Sequence, residues 1–154
     1  MPPSVPEAEK LAAAVQRWAE GKATLKEVRG YTDEELYAVA RTAYAFFHQG
    51  KVAEARTLFQ GLFAVNPRDP YFAKALAVVE YASGNADGAV AAYDVALKLD
   101  AGDLAAYLGR AEVLLATGQR QKAAEDLKKA ISCKGDERQK TKAKAILDAL
   151  RSKG

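Results

Sequence analysis

Apolar residues recur along this chain with the spacing of one helix face, and the same spacing returns three times. Ala55, Phe59 and Leu62 stand at i, i+4 and i+7; Ala89, Tyr93 and Ala96 repeat it, and so do Ala123, Leu127 and Ala130. Each trio falls on a single stripe of an amphipathic helix. Ahead of them Leu11, Ala14, Val15 and Trp18 form a stripe at i, i+3, i+4 and i+7, and behind them Ala143, Ile146, Leu147 and Leu150 form another. The pattern predicts helices at about 6–20, 33–49, 52–64, 70–83, 86–99, 103–117, 120–133 and 136–152.

The breaks between these stripes carry their own chemistry. Gly50, Gly84 and Gly118 are each 34 residues apart, with Ala43, Ala77 and Ala111 seven positions before them and Ala55, Ala89 and Ala123 five positions after. A glycine suits a turn that needs positive φ. The flanking small residues let two helices of a hairpin approach closely, and Phe59, Tyr93 and Leu127 fill the gap to the next hairpin. Thr32-Asp33-Glu34-Glu35 reads as a capping box. Asp69 before Pro70 reads as an N-cap with proline in the first helical position, and 100–103 restarts the third repeat in the same way, with Asp103 opening its helix.

A period of 34 residues with this small/large pattern resembles the tetratricopeptide repeat over about residues 36–135. The family's early tryptophan is replaced by Val39, Ala73 and Tyr107. The resemblance implies an all-α fold: three helical hairpins in a right-handed superhelix, with an N-terminal helix and a C-terminal capping helix. It divides the chain into an N-terminal helix and linker (1–32) and a repeat domain with its cap (33–154).

Counting each repeat from Leu36, Pro70 and Leu104, the family resemblance turns positions 2, 5, 9 and 12 toward the concave face. These are Tyr37, Ala40, Tyr44 and Phe47, then Tyr71, Lys74, Val78 and Tyr81, then Ala105, Leu108, Glu112 and Leu115. All but Ala105 stand as candidate peptide contacts. Five of the chain's twelve Tyr and Phe residues fall in this set. Tyrosine gives large contact area at low rotamer cost, so the face suits an extended peptide with hydrophobic anchors. The competing reading is that some of these side chains pack beneath neighbouring helices. Clamps for a C-terminal carboxylate place Lys and Asn at positions 5 and 9 of the first repeat, where this chain has Ala40 and Tyr44. The basic residues of the third repeat are also missing, replaced by Ala105 and Gly109.

The stretch 21–30 (GKATLKEVRG), followed by a capped helix and then 43–60 (AYAFFHQGKVAEARTLFQ), resembles the class II chaperones of bacterial type III secretion. That resemblance implies a cytoplasmic, bacterial protein that holds a hydrophobic translocator before export and uses no nucleotide or other cofactor. It also suggests a homodimer contact through Leu11, Val15 and Trp18. From the residues alone, that stripe packs either on its own first repeat or on a partner. The alternative function is a general scaffold joining folded proteins.

Composition narrows the field. Apolar residues make up 49% and charged residues 28%, which is globular rather than disordered. The first ten residues carry no basic stretch followed by an apolar core, so no secretory signal is expected. One cysteine, Cys133, allows no internal disulfide, and together with the single histidine, His48, offers no zinc site. There is no phosphate-binding glycine loop or histidine-based triad, so no enzyme is expected. Asp33-Glu34-Glu35 suits a helix N-terminus better than a catalytic carboxylate cluster, and His48 reads as a cap or rim residue. Residues 120–154 hold 11 Lys/Arg and 5 Asp/Glu, against a net charge of −3 over the rest. Acids are interleaved and no aromatics accompany the lysines, so this reads as a solvated helix face rather than a nucleic-acid site.

Overall fold

A computed structural model of the chain describes residues 5–21 and 31–153. The threonine-leucine-lysine segment at 22–30 lies outside the described residues, as do 1–4. Eight helices are described and no strand among them. They are α1 (Val5–Ala19), α2 (Asp33–His48), α3 (Val52–Val65), α4 (Pro70–Ala82), α5 (Ala86–Leu99), α6 (Leu104–Ala116), α7 (Arg120–Ser132) and α8 (Glu137–Ser152). The order follows the hydrophobic pattern, and each boundary falls within a residue or two of its expected place.

The local signals act as the sequence implies. Thr32 caps α2 in a capping box, its hydroxyl accepting from Glu35 N at 3.2 Å while the Glu35 carboxylate accepts from Thr32 N at 3.0 Å. Asp69 Oδ1 accepts from Tyr71 N at 2.9 Å, and Asp103 Oδ1 from Ala106 N at 3.1 Å. Gly50, Gly84 and Gly118 turn each hairpin at φ of 81°, 83° and 80°, a region that costs any other residue strain.

Helices α2/α3, α4/α5 and α6/α7 pair as hairpins, and each hairpin stacks on the next. Phe59, Phe72, Leu58 and Leu62 are fully buried in the N-terminal core, and Leu127 and Ala130 anchor the C-terminal one. Between them, Ala73, Ala77, Ala89 and Ala96 bring the helices of the second repeat close together. Tyr93 packs over Gly109 so tightly that a Cβ there would lie 2.3 Å from the Tyr93 hydroxyl.

The N-terminal helix settles on its own chain. Leu11 is 3% exposed and Val15 is fully buried, both in the same core as α2 and α3. Gly61, in the middle of α3, makes this possible: a Cβ there would lie 2.7 Å from Val15 Cγ1 and 3.3 Å from Ala19 Cβ. This corrects the oligomer reading for Leu11 and Val15. Their apolar area is spent inside the first repeat, and neither offers a surface to a second copy. Trp18 is half-buried against the same core.

At the other end, Ala143 and Leu147 of α8 close the core of the third repeat, and Lys142 Nζ meets Glu112 Oε1 at 2.7 Å. Among the described residues no helix is long and apolar enough to cross a membrane.

Candidate peptide-binding groove

The first helices of the hairpins, α2, α4 and α6, bring the expected residues onto one face, but not on equal terms. Rings dominate its N-terminal part. Tyr71 sits between Tyr37, 5.5 Å away edge-on, and Tyr44, 6.3 Å away. Tyr44 also stands edge-on to the buried Phe59 at 5.3 Å, so its ring is fixed from beneath. Such edge-to-face pairs add stability beyond burial alone. His48 lies beside Tyr44 and Phe47 at ring distances of 6.2 and 5.8 Å, exposed at the end of α2, as a rim residue should be.

The next two exposed side chains lie along α4. Val78 is 38% and Tyr81 44% exposed, three residues apart on one face of the helix. Few large apolar side chains in the described chain are so open to water. With Tyr44, Phe47 and Tyr71 half-buried beside them, they form an aromatic band on which an apolar segment of another protein would lose water.

Two expected contacts are corrected. Ala40 is 1% exposed and Leu108 5%, so both are walls of the core and offer an occupant little area. The hairpins stack tightly enough that position 5, one turn into the first helix, is covered in repeats one and three.

Others are occupied within the chain. The Tyr37 hydroxyl donates to Asp69 Oδ2, while the other oxygen of that carboxylate caps α4. The Asp69 bond, then burial, push the Tyr37 hydroxyl up to about 12. Lys74 Nζ reaches Asp103 Oδ2 at 2.9 Å, on the carboxylate that caps α6. Each N-cap thus grips the first helix of the preceding repeat, through a tyrosine at one junction and a lysine at the next. Glu112 is engaged by Lys142. Burial, then the neighbouring Tyr44, hold the Tyr71 hydroxyl well above its ordinary range, so it stays neutral. Leu115, half-buried, ends the face on α6.

Sequence reasoning passed over the polar locks on the second-helix side. Glu80, 5% exposed, accepts from Arg56 at 3.0 Å, Gln60 at 3.1 Å and Asn85 at 2.8 Å. Burial alone would raise its pKa, but those three donors together hold it below the usual carboxylate value. Arg110 is forked onto Asp126 at 2.8 and 2.7 Å and reaches Asp94 at 2.7 Å. It floors a cavity of about 450 Å³ that carries charges of both signs. The only available signal was a charge at an otherwise apolar helix position, which names no partner. No group of His, Cys, Asp and Glu suited to a metal occurs among the described residues.

This arrangement is that of a helical-repeat protein with an exposed apolar band on one face. The sequence model of the tetratricopeptide repeat matches three times, at residues 10–62, 41–103 and 74–140, and the chain belongs to that family. The first match begins within α1, consistent with that helix packing as part of the stack.

Among solved structures, the fold resembles the Yersinia enterocolitica type III secretion chaperone SycD in complex with a peptide of the translocator YopD (23% identity, 79% of this chain and 96% of that one, TM-score 0.73). It resembles Pseudomonas aeruginosa PcrH in complex with the chaperone binding region of PopD (20% identity, 82% and 98%, TM-score 0.75). It also resembles the first such domain of Spaghetti (RPAP3) bound to an HSP90 peptide (16% identity, 80% and 96%, TM-score 0.70). All three likenesses are of fold.

Proposed function

We propose that this chain is a non-catalytic chaperone of the bacterial cytoplasm. It holds an extended hydrophobic segment of a secreted translocator protein on the face of α2, α4 and α6 until type III export. The observation that carries this reading is the aromatic band of Tyr44, Phe47, Tyr71 and Tyr81 with Val78, left open beside a well-packed core. Apolar area of this kind is retained where a partner covers it. The likeness to two chaperones seen with translocator peptides supports the choice of client. The domain seen with an HSP90 peptide shares the fold, but positions 5 and 9 here are a buried alanine and a tyrosine edge-on to Phe59. That chemistry suits an apolar anchor better than a carboxylate.

Co-expression with a translocator tests the reading. The client should be soluble only with the chaperone. Val78→Ser with Tyr81→Ser, which removes the two most open side chains of the band and leaves the core intact, should release it. The expected loss is about 2 kcal/mol or more, the scale of a binding hot spot. A partner that is already soluble alone and binds the variant unchanged would instead establish a scaffold that works through another surface.

A further inference from the structure

A second surface lies at the far end of the stack, between α7 and α8. Arg120 and Lys128 from α7 and Arg151 and Lys153 from the end of α8 surround a cleft of about 360 Å³ whose apolar lining includes Leu147 and Leu150. No carboxylate lines it, and none of these four cations has an ion-pair partner among the described residues. Arg56, Lys74, Arg110, Lys140 and Lys142, by contrast, each meet a carboxylate. Four unpaired cations around one cleft raise its affinity for an anionic group, and the recessed leucines reward an apolar side chain placed between such groups.

We propose that this cleft is a docking site for an acidic peptide segment of a partner protein, with one or two apolar side chains seated over Leu147 and Leu150 and flanking carboxylates on the four cations. Charge complementarity selects the occupant. Leu147 is 4% exposed at the bottom of a cleft, where a flat bilayer cannot reach it. No aromatic side chain lines the cleft, so single-stranded bases have nothing to stack on. The site uses no residue of the aromatic band, so it can be filled while a client is held.

The test uses the full chain and three fluorescent peptides of one design: leucines flanked by glutamates, by glutamines or by lysines. The glutamate peptide should bind best, and added salt should weaken it as it screens the exposed cations. Lys128→Glu with Arg151→Glu, both exposed positions, should weaken it tenfold or more with an unchanged helical spectrum. Val78→Ser with Tyr81→Ser should leave it unchanged, separating this site from the client groove. Equal binding of the three peptides, or of the charge-reversed variant, overturns the proposal. So does phosphatidylserine vesicle or oligonucleotide binding that exceeds peptide binding and is lost on the same reversal.

Discussion

The two junctions between successive repeats share a backbone and differ in chemistry. Repeats one and two meet mainly through rings, with one ion pair, Arg56 on Glu80, added: Tyr37, Tyr71 and Phe72 lie within 5.7 Å of one another, with Tyr44 seated on Phe59. Repeats two and three meet through charge: Lys74 on Asp103, and Arg110 between Asp94 and Asp126. Both junctions hold the stack, but only the first leaves half-buried rings at the surface. The second is self-satisfied, its cations and carboxylates spent on one another. The caps differ in the same sense. Helix α1 is seated by a missing Cβ at Gly61, whereas α8 combines a small apolar contact with an ion pair.

The comparison breaks first if the ring junction is not the stronger element. Phe59→Ala removes a fully buried ring that supports Tyr44, and urea unfolding should show a loss of about 4 kcal/mol, within the range for buried aromatic truncation. Arg110→Ala should cost about 3 kcal/mol, because the Asp126 side chain, only 5% exposed, loses its forked partner. The two differ in how they are rescued. Replacing Arg110, Asp94 and Asp126 together by apolar residues of similar volume should restore most of the loss, since desolvation opposes the ion pairs. Nothing comparable restores Phe59. An Arg110→Ala cost below about 1 kcal/mol would make the second junction an ordinary surface pairing.

The N-terminal cap is the next place to press. Gly61→Ala forces Val15 and Ala19 apart from α3, and overpacking of this kind costs about 2 kcal/mol. Because Trp18 is the chain's single tryptophan and lies against the same core, its fluorescence should shift to the red as α1 loosens. An unshifted spectrum with unchanged stability would mean that α1 does not depend on this close approach.

Much of this architecture was legible in residue order. The turn glycines, the caps at Thr32, Asp69 and Asp103 and the recurring alanines are local signals, each tied to one backbone need, so they fixed the helices and the stacking. The site was legible in outline only. Period alone put Ala40 and Leu108 on the same face as Tyr44 and Tyr81, because position within a repeat does not reveal how far the next hairpin slides over it. The stripe Leu11, Val15 and Trp18 announced burial without naming the partner. Gly61 was the overlooked signal, a glycine inside a helix where no turn needs one. The ion pairs were out of reach, since Arg110 finds its two carboxylates 16 residues away on either side, across helices whose rotation the sequence does not state.

The finest test concerns a single hydroxyl. Tyr37 donates to the same carboxylate that caps α4, so the ring junction and the helix start share Asp69. Tyr37→Phe keeps the ring contacts and the cap and removes only that bond, which should cost about 1 kcal/mol at neutral pH. The pH dependence gives the sign. In the folded chain the hydroxyl is pushed up to about 12, first by its bond to Asp69, whereas the unfolded chain releases that proton at 10.0. The bond's contribution is therefore complete below pH 10.0 and is lost as pH rises from there toward 12. Alkaline unfolding of the Tyr37→Phe variant should fall less steeply over that window than that of the parent chain. Superimposable curves would mean that the hydroxyl makes no such bond in solution, and that Asp69 serves the start of α4 alone.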